Sequence, residues 1–181
     1  MQSLKTEIGA EIRGPKGVLI RRVPFQPCHS LLKGFMQILA SQMGHMNQTI
    51  KPYTGIDVTD GVDSWNLAVD GTTHLQKGIV IGSGEVSAVT MEDYVLETQL
   101  TTNIAHATVA FAVENPDSET WRLAISRGFT NNTGASVVVK EVGLMANFGQ
   151  YGYVLIDRTL CAVSFEAGET LTMTYRISIS L

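Results

Sequence analysis

Hydrophobic and polar residues alternate most regularly in TLTMTYRISISL, residues 170–181. Leu171, Met173, Tyr175, Ile177, Ile179 and Leu181 hold every odd position, and Thr, Arg and Ser hold the even ones. A period of two predicts a strand with one apolar face and one hydroxyl-rich face. Shorter runs of the same kind are GIVIGSG (78–84), ATVAFAV (107–113), WRLAISRGF (121–129), VVVKEVGLM (137–145) and YGYVLIDRTL (151–160). MEDYVLETQL (91–100) reads as a loop and then a strand. Turn residues separate the runs: Asn115-Pro116-Asp117 is expected to turn the chain before WRLAISRGF, and NNTGAS (131–136) is the strongest hairpin signal among them. Upstream, LKTEIGAEI and VLIRRVPF flank Gly14-Pro15-Lys16-Gly17, which predicts an N-terminal hairpin that Pro24 and Pro27 bring to an end.

The period changes once. Leu31, Leu32, Phe35, Met36, Leu39 and Met43 recur at spacings of three and four, predicting a helix over about 30–43, with Ser30 as N-cap and Gly44 as stop. Residues 44–77 are rich in turn residues and hold no period, so short strands or a functional excursion are expected there. The sum is a mainly β chain: an antiparallel β-sandwich, jelly-roll-like, with one N-terminal helix. It divides into a hairpin-plus-helix element (1–43), an irregular segment (44–77) and a sandwich body (78–181), within one compact domain. Leu171–Leu181 is expected to place its odd face in the core.

Composition narrows the function. With 44% hydrophobic and 17% charged residues, the 181-residue chain can build one substantial core. A net charge of -4 offers no basic field for nucleic acid. No apolar run approaches the ~20 residues that cross a bilayer, so no membrane partner is expected. MQSLKTEIGAEIR carries charges where a secretory leader has its apolar centre, which points to synthesis in a cytoplasm.

Candidate chemistry is sparse. Cys28 and Cys161 are expected to be buried free thiols, and Cys28 next to His29 is poorly placed for a dyad because neighbours on extended chain face opposite sides. The histidines 29, 45, 74 and 106 show no metal-ligand spacing. Gly82-Ser83-Gly84 lacks the lysine and helix of a phosphate loop and reads as a tight turn. Glu92-Asp93 with Glu97 nearby has the donors for acid–base work or a hard cation but not the spacing, and reads as a solvated turn. Asn47 and Asn131 begin glycosylation-type triplets, and turn chemistry accounts for Asn131 and Asn132. No catalytic residue, cofactor or metal is expected.

Three stretches taken together, GIVIGSGEVSAVTMEDYVLETQL (78–100), RGFTNNTGASVVVKEVGLM (127–145) and FEAGETLTMTYRISISL (165–181), resemble blocks of structural proteins of tailed bacteriophages. EIRGPKGVLIRR followed by HSLLKGFMQIL resembles the opening strand pair and helix of such proteins. Residues 44–77 have no counterpart. The resemblance implies a non-enzymatic virion component with a β-sandwich body, present in several copies and held to other virion proteins of the capsid, portal, neck or tail. A capsid-decorating or neck (collar) position is the favoured expectation. The helix residues Leu31, Leu32, Phe35, Met36 and Leu39 are then candidate assembly contacts. The rival is a tail-fibre or receptor-binding sandwich, for which Tyr53 and Trp65 are candidates to stack on a sugar.

Overall fold

A computed structural model describes residues 3–28, 32–44, 47–60, 69, 75–84, 87–147 and 152–180. In chain order the elements are β1 (Ser3–Arg13), β2 (Leu19–Pro27), α1 (Lys33–Gly44), β3 (Gln48–Ile50), β4 (Val58–Asp60), β5 (Gly78–Gly82) and β6 (Ile104–His106). They continue with β7 (Ala110–Asp117), β8 (Thr120–Asn131), β9 (Val137–Asn147), β10 (Tyr153–Phe165) and β11 (Thr170–Ser180). The large sheet has the order β2-β1-β11-β8-β6, with β7 also paired to β8; the small sheet is β10-β9-β5, and β3-β4 form a two-stranded ribbon. Every pairing is antiparallel. The two main sheets share one apolar core, so the expected β-sandwich with one helix is the fold.

The regular alternation of β11 makes it a central strand. It pairs along its whole length with β1, from Ser3↔Ser180 to Arg13↔Thr170, and with β8, from Thr170↔Thr130 to Ser180↔Thr120. Its odd residues Leu171, Met173 and Tyr175 are buried against the small sheet. Ile177 is only half-buried and Ile179 is exposed, because the large sheet runs on past what covers it. β1 lies inside this sheet, so the N-terminal hairpin is part of the sandwich body.

Polar groups tie the layers together, as buried donors and acceptors require. The Tyr175 hydroxyl donates to Asp157 Oδ1 (2.8 Å) across the core. Arg127, 1% exposed, donates to the carbonyls of Lys77 (2.7 Å), Ile79 (2.9 Å) and Ala107 (2.9 Å).

Four local expectations need correction. Residues 131–136 do not turn a hairpin: β8 belongs to the large sheet and β9 to the small one, so this segment is a corner between layers. Asn131 builds it, its Nδ2 donating to Ala135 O (2.7 Å) and Phe165 O (3.1 Å) while Oδ1 accepts from Thr133 N (2.9 Å). The β10-to-β11 crossing lies alongside, with Asn131 N donating to Glu169 O and Gly168 N to Asn131 O. Pro24 does not end β2; it sits where the register with β1 shifts, on an edge strand that needs no further donor. Asn115-Pro116 likewise forms an irregularity inside β7, and the turn falls at 118–119. MEDYVLETQL contains no strand of its own, only an isolated bridge between Gln99 and Gly82.

α1 begins three residues later than expected and packs on β10 and β3. Gly34 sets the approach: a Cβ there would lie 2.8 Å from Val154 Cγ1 and 3.0 Å from Leu155 O. Ile38 is buried and Phe35 half-buried against the core, whereas Met36 and Met43 point to solvent. Among the described residues, no helix is long and apolar enough to cross a membrane.

Candidate functional site

Among the described residues, the densest charge cluster is centred on Arg158 of β10, which is 2% exposed. Its Nε donates to Glu141 Oε2 (2.9 Å), its Nη1 to Asp93 Oδ2 (2.8 Å) and its Nη2 to Glu97 Oε1 (3.3 Å). Glu141, on β9, is itself buried and accepts Thr98 N (3.1 Å) at its second oxygen. Asp93 also accepts from Thr90 N and Oγ1, and Glu97 from Ser87 N and Oγ. One guanidinium thus fastens the segment that follows β5 to the small sheet. Burial works to raise the Asp93 carboxyl, but the hydrogen bonds from Arg158 and Thr90 outweigh it and hold the group below the usual range. Hydrogen bonds from Ser87, then Arg158, lower Glu97.

This geometry replaces two sequence readings. Asp93, half-buried, is not part of a solvated turn, and neither it nor the exposed Glu97 is an open ligand, since both are engaged by Arg158. Glu92 stands apart, paired with Lys33 at 3.1 Å on the surface. Gly82 and Gly84 make room for the carboxylates: a Cβ at Gly82 would lie 2.5 Å from Glu141 Oε1, and one at Gly84 2.4 Å from Glu97 Cβ. Among the described residues, no three His, Cys, Asp or Glu side chains are arranged to hold a metal ion.

The remaining reactive groups are built into the core. Cys28 and Cys161 are free and half-buried, and burial pushes both thiols up to about 12, far from the thiolate a nucleophile needs. His106 is buried, with Nε2 3.1 Å from Leu100 O and its ring edge-on to Phe129. The other three histidines lie outside the described residues.

The predicted contact residues are dispersed. Leu32 is fully buried in a small cluster with Val80, Leu96, Met145 and Leu155, so it is unavailable to a partner. Phe35 and Leu39 are half-buried, Met36 is exposed, and Leu31 and Trp65 lie outside the described residues. Tyr53 is held in place: its N donates to Tyr153 O (2.9 Å), its ring tilts at 41° to Tyr153, and it packs on Gly152. It keeps 38% exposure and lines neither of the two concavities described next.

Two concavities stand out among the described residues. A cleft of about 370 Å³ lies between α1, β3 and the 91–94 turn, with Lys33, Lys51 and Glu92 on its rim. A trough of about 730 Å³ runs over the outer face of the large sheet. Its floor includes Gly9, Ala112, Ala124, Ser126, Thr172 and Thr174, the even positions of β11 and their cross-strand neighbours. Phe25 closes one side by folding over Gly9, where an added Cβ would lie 3.0 Å from the ring. The Arg176 guanidinium stacks 3.6 Å from the Phe25 centroid, and its buried Nε has no hydrogen-bond partner among the described residues.

Sequence reasoning missed Arg158, Glu141, Phe25 and Arg176 as site-forming residues. A charge inside the apolar run VLIDRTL was the available signal for Arg158, since a buried charge requires partners. Comparison with protein families, characterised proteins and solved structures finds no match for the chain.

Proposed function

We propose that the chain is a non-enzymatic structural component of a tailed-phage virion, in a capsid-decorating or neck position, acting by protein–protein assembly. One observation carries the reading: the three phage-like blocks interlock. Asp93 and Glu97 of the first block meet Glu141 of the second on Arg158. Asn131 of the second block bonds Phe165, Gly168 and Glu169 of the third. The residues that carry the resemblance therefore act as one unit of scaffold, which is what a protein working through its surfaces needs. Mass spectrometry of purified particles, with cryo-electron microscopy to locate the density, tests this. Density on the capsid or neck is the expected result. Absence from particles would overturn the proposal.

A tail-fibre or receptor-binding role is the second reading, and the outer trough favours it. Hydroxyls on its floor, an aromatic ring at its side and a guanidinium within it are the groups that bind a sugar with an acidic substituent. Under this reading the density lies at fibre tips, and Phe25→Ala abolishes binding on a glycan array.

A further inference from the structure

The inner face of the large sheet carries an apolar strip that no described residue covers. Cross-strand rows on this face grow more exposed toward one end of the sheet. Ile12–Leu171–Phe129 and Ile8–Tyr175–Ile125 are buried. Thr6–Ile177–Leu123 is half-buried. Leu4–Ile179–Trp121 is open, at 61%, 55% and 59% exposure. On β7, Phe111 continues the Ile8–Tyr175–Ile125 row and Val113 the Thr6–Ile177–Leu123 row to the edge of the sheet, at 48% and 71% exposure. On the opposite face the same strand ends carry the polar row Lys5–Ser178–Arg122–Glu114, in which Arg122 donates to Glu114 Oε2 (3.2 Å) and to Ser178 Oγ (3.4 Å). The apolar side of these strand ends is therefore a continuation of the core pattern beyond the reach of the small sheet.

We infer that this strip is a two-fold interface at which a second copy of the chain supplies the missing layer. Size is the first argument. Five side chains at these exposures present on the order of 500 Å² of apolar surface. That is at the upper end of what a monomer ordinarily leaves open, and with its polar rim it approaches the ~800 Å² each partner contributes to a standard interface. Shape is the second argument. Of the two concavities described above, only the outer trough touches the strip, at its Phe111 edge, and Leu4, Ile179, Trp121 and Val113 line neither; an extended sheet face of this kind packs best on another. Charge is the third. The strip rows hold no charged residue, so laying the strip on its own copy juxtaposes no like charges, and an isologous contact closes as a dimer. This deepens the assembly proposal by naming the partner of one surface, and it is testable without a particle.

Analytical ultracentrifugation of the full chain from about 1 to 100 µM decides the matter. A dimer is expected, and Trp121→Glu or Val113→Lys should weaken it at least tenfold while hydrogen-exchange protection of β11 next to Tyr175 is retained. Val113 lies on the exposed strand β7, so this variant keeps the test open even if Trp121→Glu unfolds. A wild-type monomer throughout the range would overturn the inference and leave the strip to a different partner. An oligomer untouched by both variants would overturn it as well. Either result leaves the virion proposal standing, since that rests on location in particles.

Discussion

Asp157 is a carboxyl in the wrong place for its charge, and that makes it the sharpest test of how this core is held together. It lies between the sheets at 1% exposure, with Oδ1 accepting from Tyr175 Oη (2.8 Å) and Thr159 Oγ1 (3.1 Å). Oδ2 is buried with no hydrogen-bond partner among the described residues. Burial pushes the group from an ordinary value of 3.8 up to about 6, against the opposing pull of the Tyr175 and Thr159 hydrogen bonds. Below pH 4 both folded and unfolded chains keep the proton, and the group costs nothing. Between pH 4 and 6 the unfolded chain ionises and the folded one resists, so stability falls as pH rises and levels off above about 6. Two pK units at ~1.4 kcal/mol each make this loss about 3 kcal/mol. Asp157→Asn removes the ionisation while keeping an oxygen for Tyr175. Its buried amide costs about 1–3 kcal/mol at any pH, so the informative quantity is a difference. Urea unfolding of both proteins at pH 4 and pH 8 should show the variant gaining about 3 kcal/mol on the wild type at the higher pH. Other carboxylates titrate alike in the two proteins and cancel. A gain below about 0.5 kcal/mol, or one of opposite sign, would refute the reasoning.

Removing the centre of the charge cluster should do more damage than removing the whole pair. Arg158→Met leaves Glu141 buried without its cation and should cost about 3–5 kcal/mol in chemical denaturation, whereas Arg158→Met with Glu141→Gln should recover part of that loss. Asp93 and Glu97 have lowered folded values, so their contribution is present above about pH 4.5 and is lost as pH falls through the folded values; acid should raise protease cutting within residues 87–99 before global unfolding. Gly34→Val should push α1 off β10, because even a Cβ meets Val154 and Leu155 O, and should cost about 1–3 kcal/mol by thermal melt, while Gly134→Ala, with open space around it, should show only the smaller strain of its positive φ.

Much of the framework was legible in the chain because strand and helix patterns are local. The period of two named β11 and its apolar side, and the spacing of three and four named α1 to within three residues at its start. The N-terminal hairpin followed from Gly14-Pro15-Lys16-Gly17, since turn chemistry acts over four residues. Reading NNTGAS as a hairpin failed for the same reason: turn residues announce a change of direction, and whether the chain returns to its own sheet or crosses to the other depends on Asn131 meeting Phe165 and Glu169.

The sequence by itself determined the elements, the sandwich class and the odd face of the C-terminal strand, because these depend on residues within a turn or a pleat of each other. Tertiary structure alone decided where each pattern is used. Ile179 continues the alternation of Leu171 without a break, yet one is buried and the other exposed, because coverage is set by the length of a different sheet. Asp93 and Glu97 acquire their role from an arginine more than 60 residues away, and Arg176 acquires its own from a phenylalanine folded over Gly9. Charge needs a partner and an apolar face needs a cover, and a chain specifies both needs locally but meets them at long range.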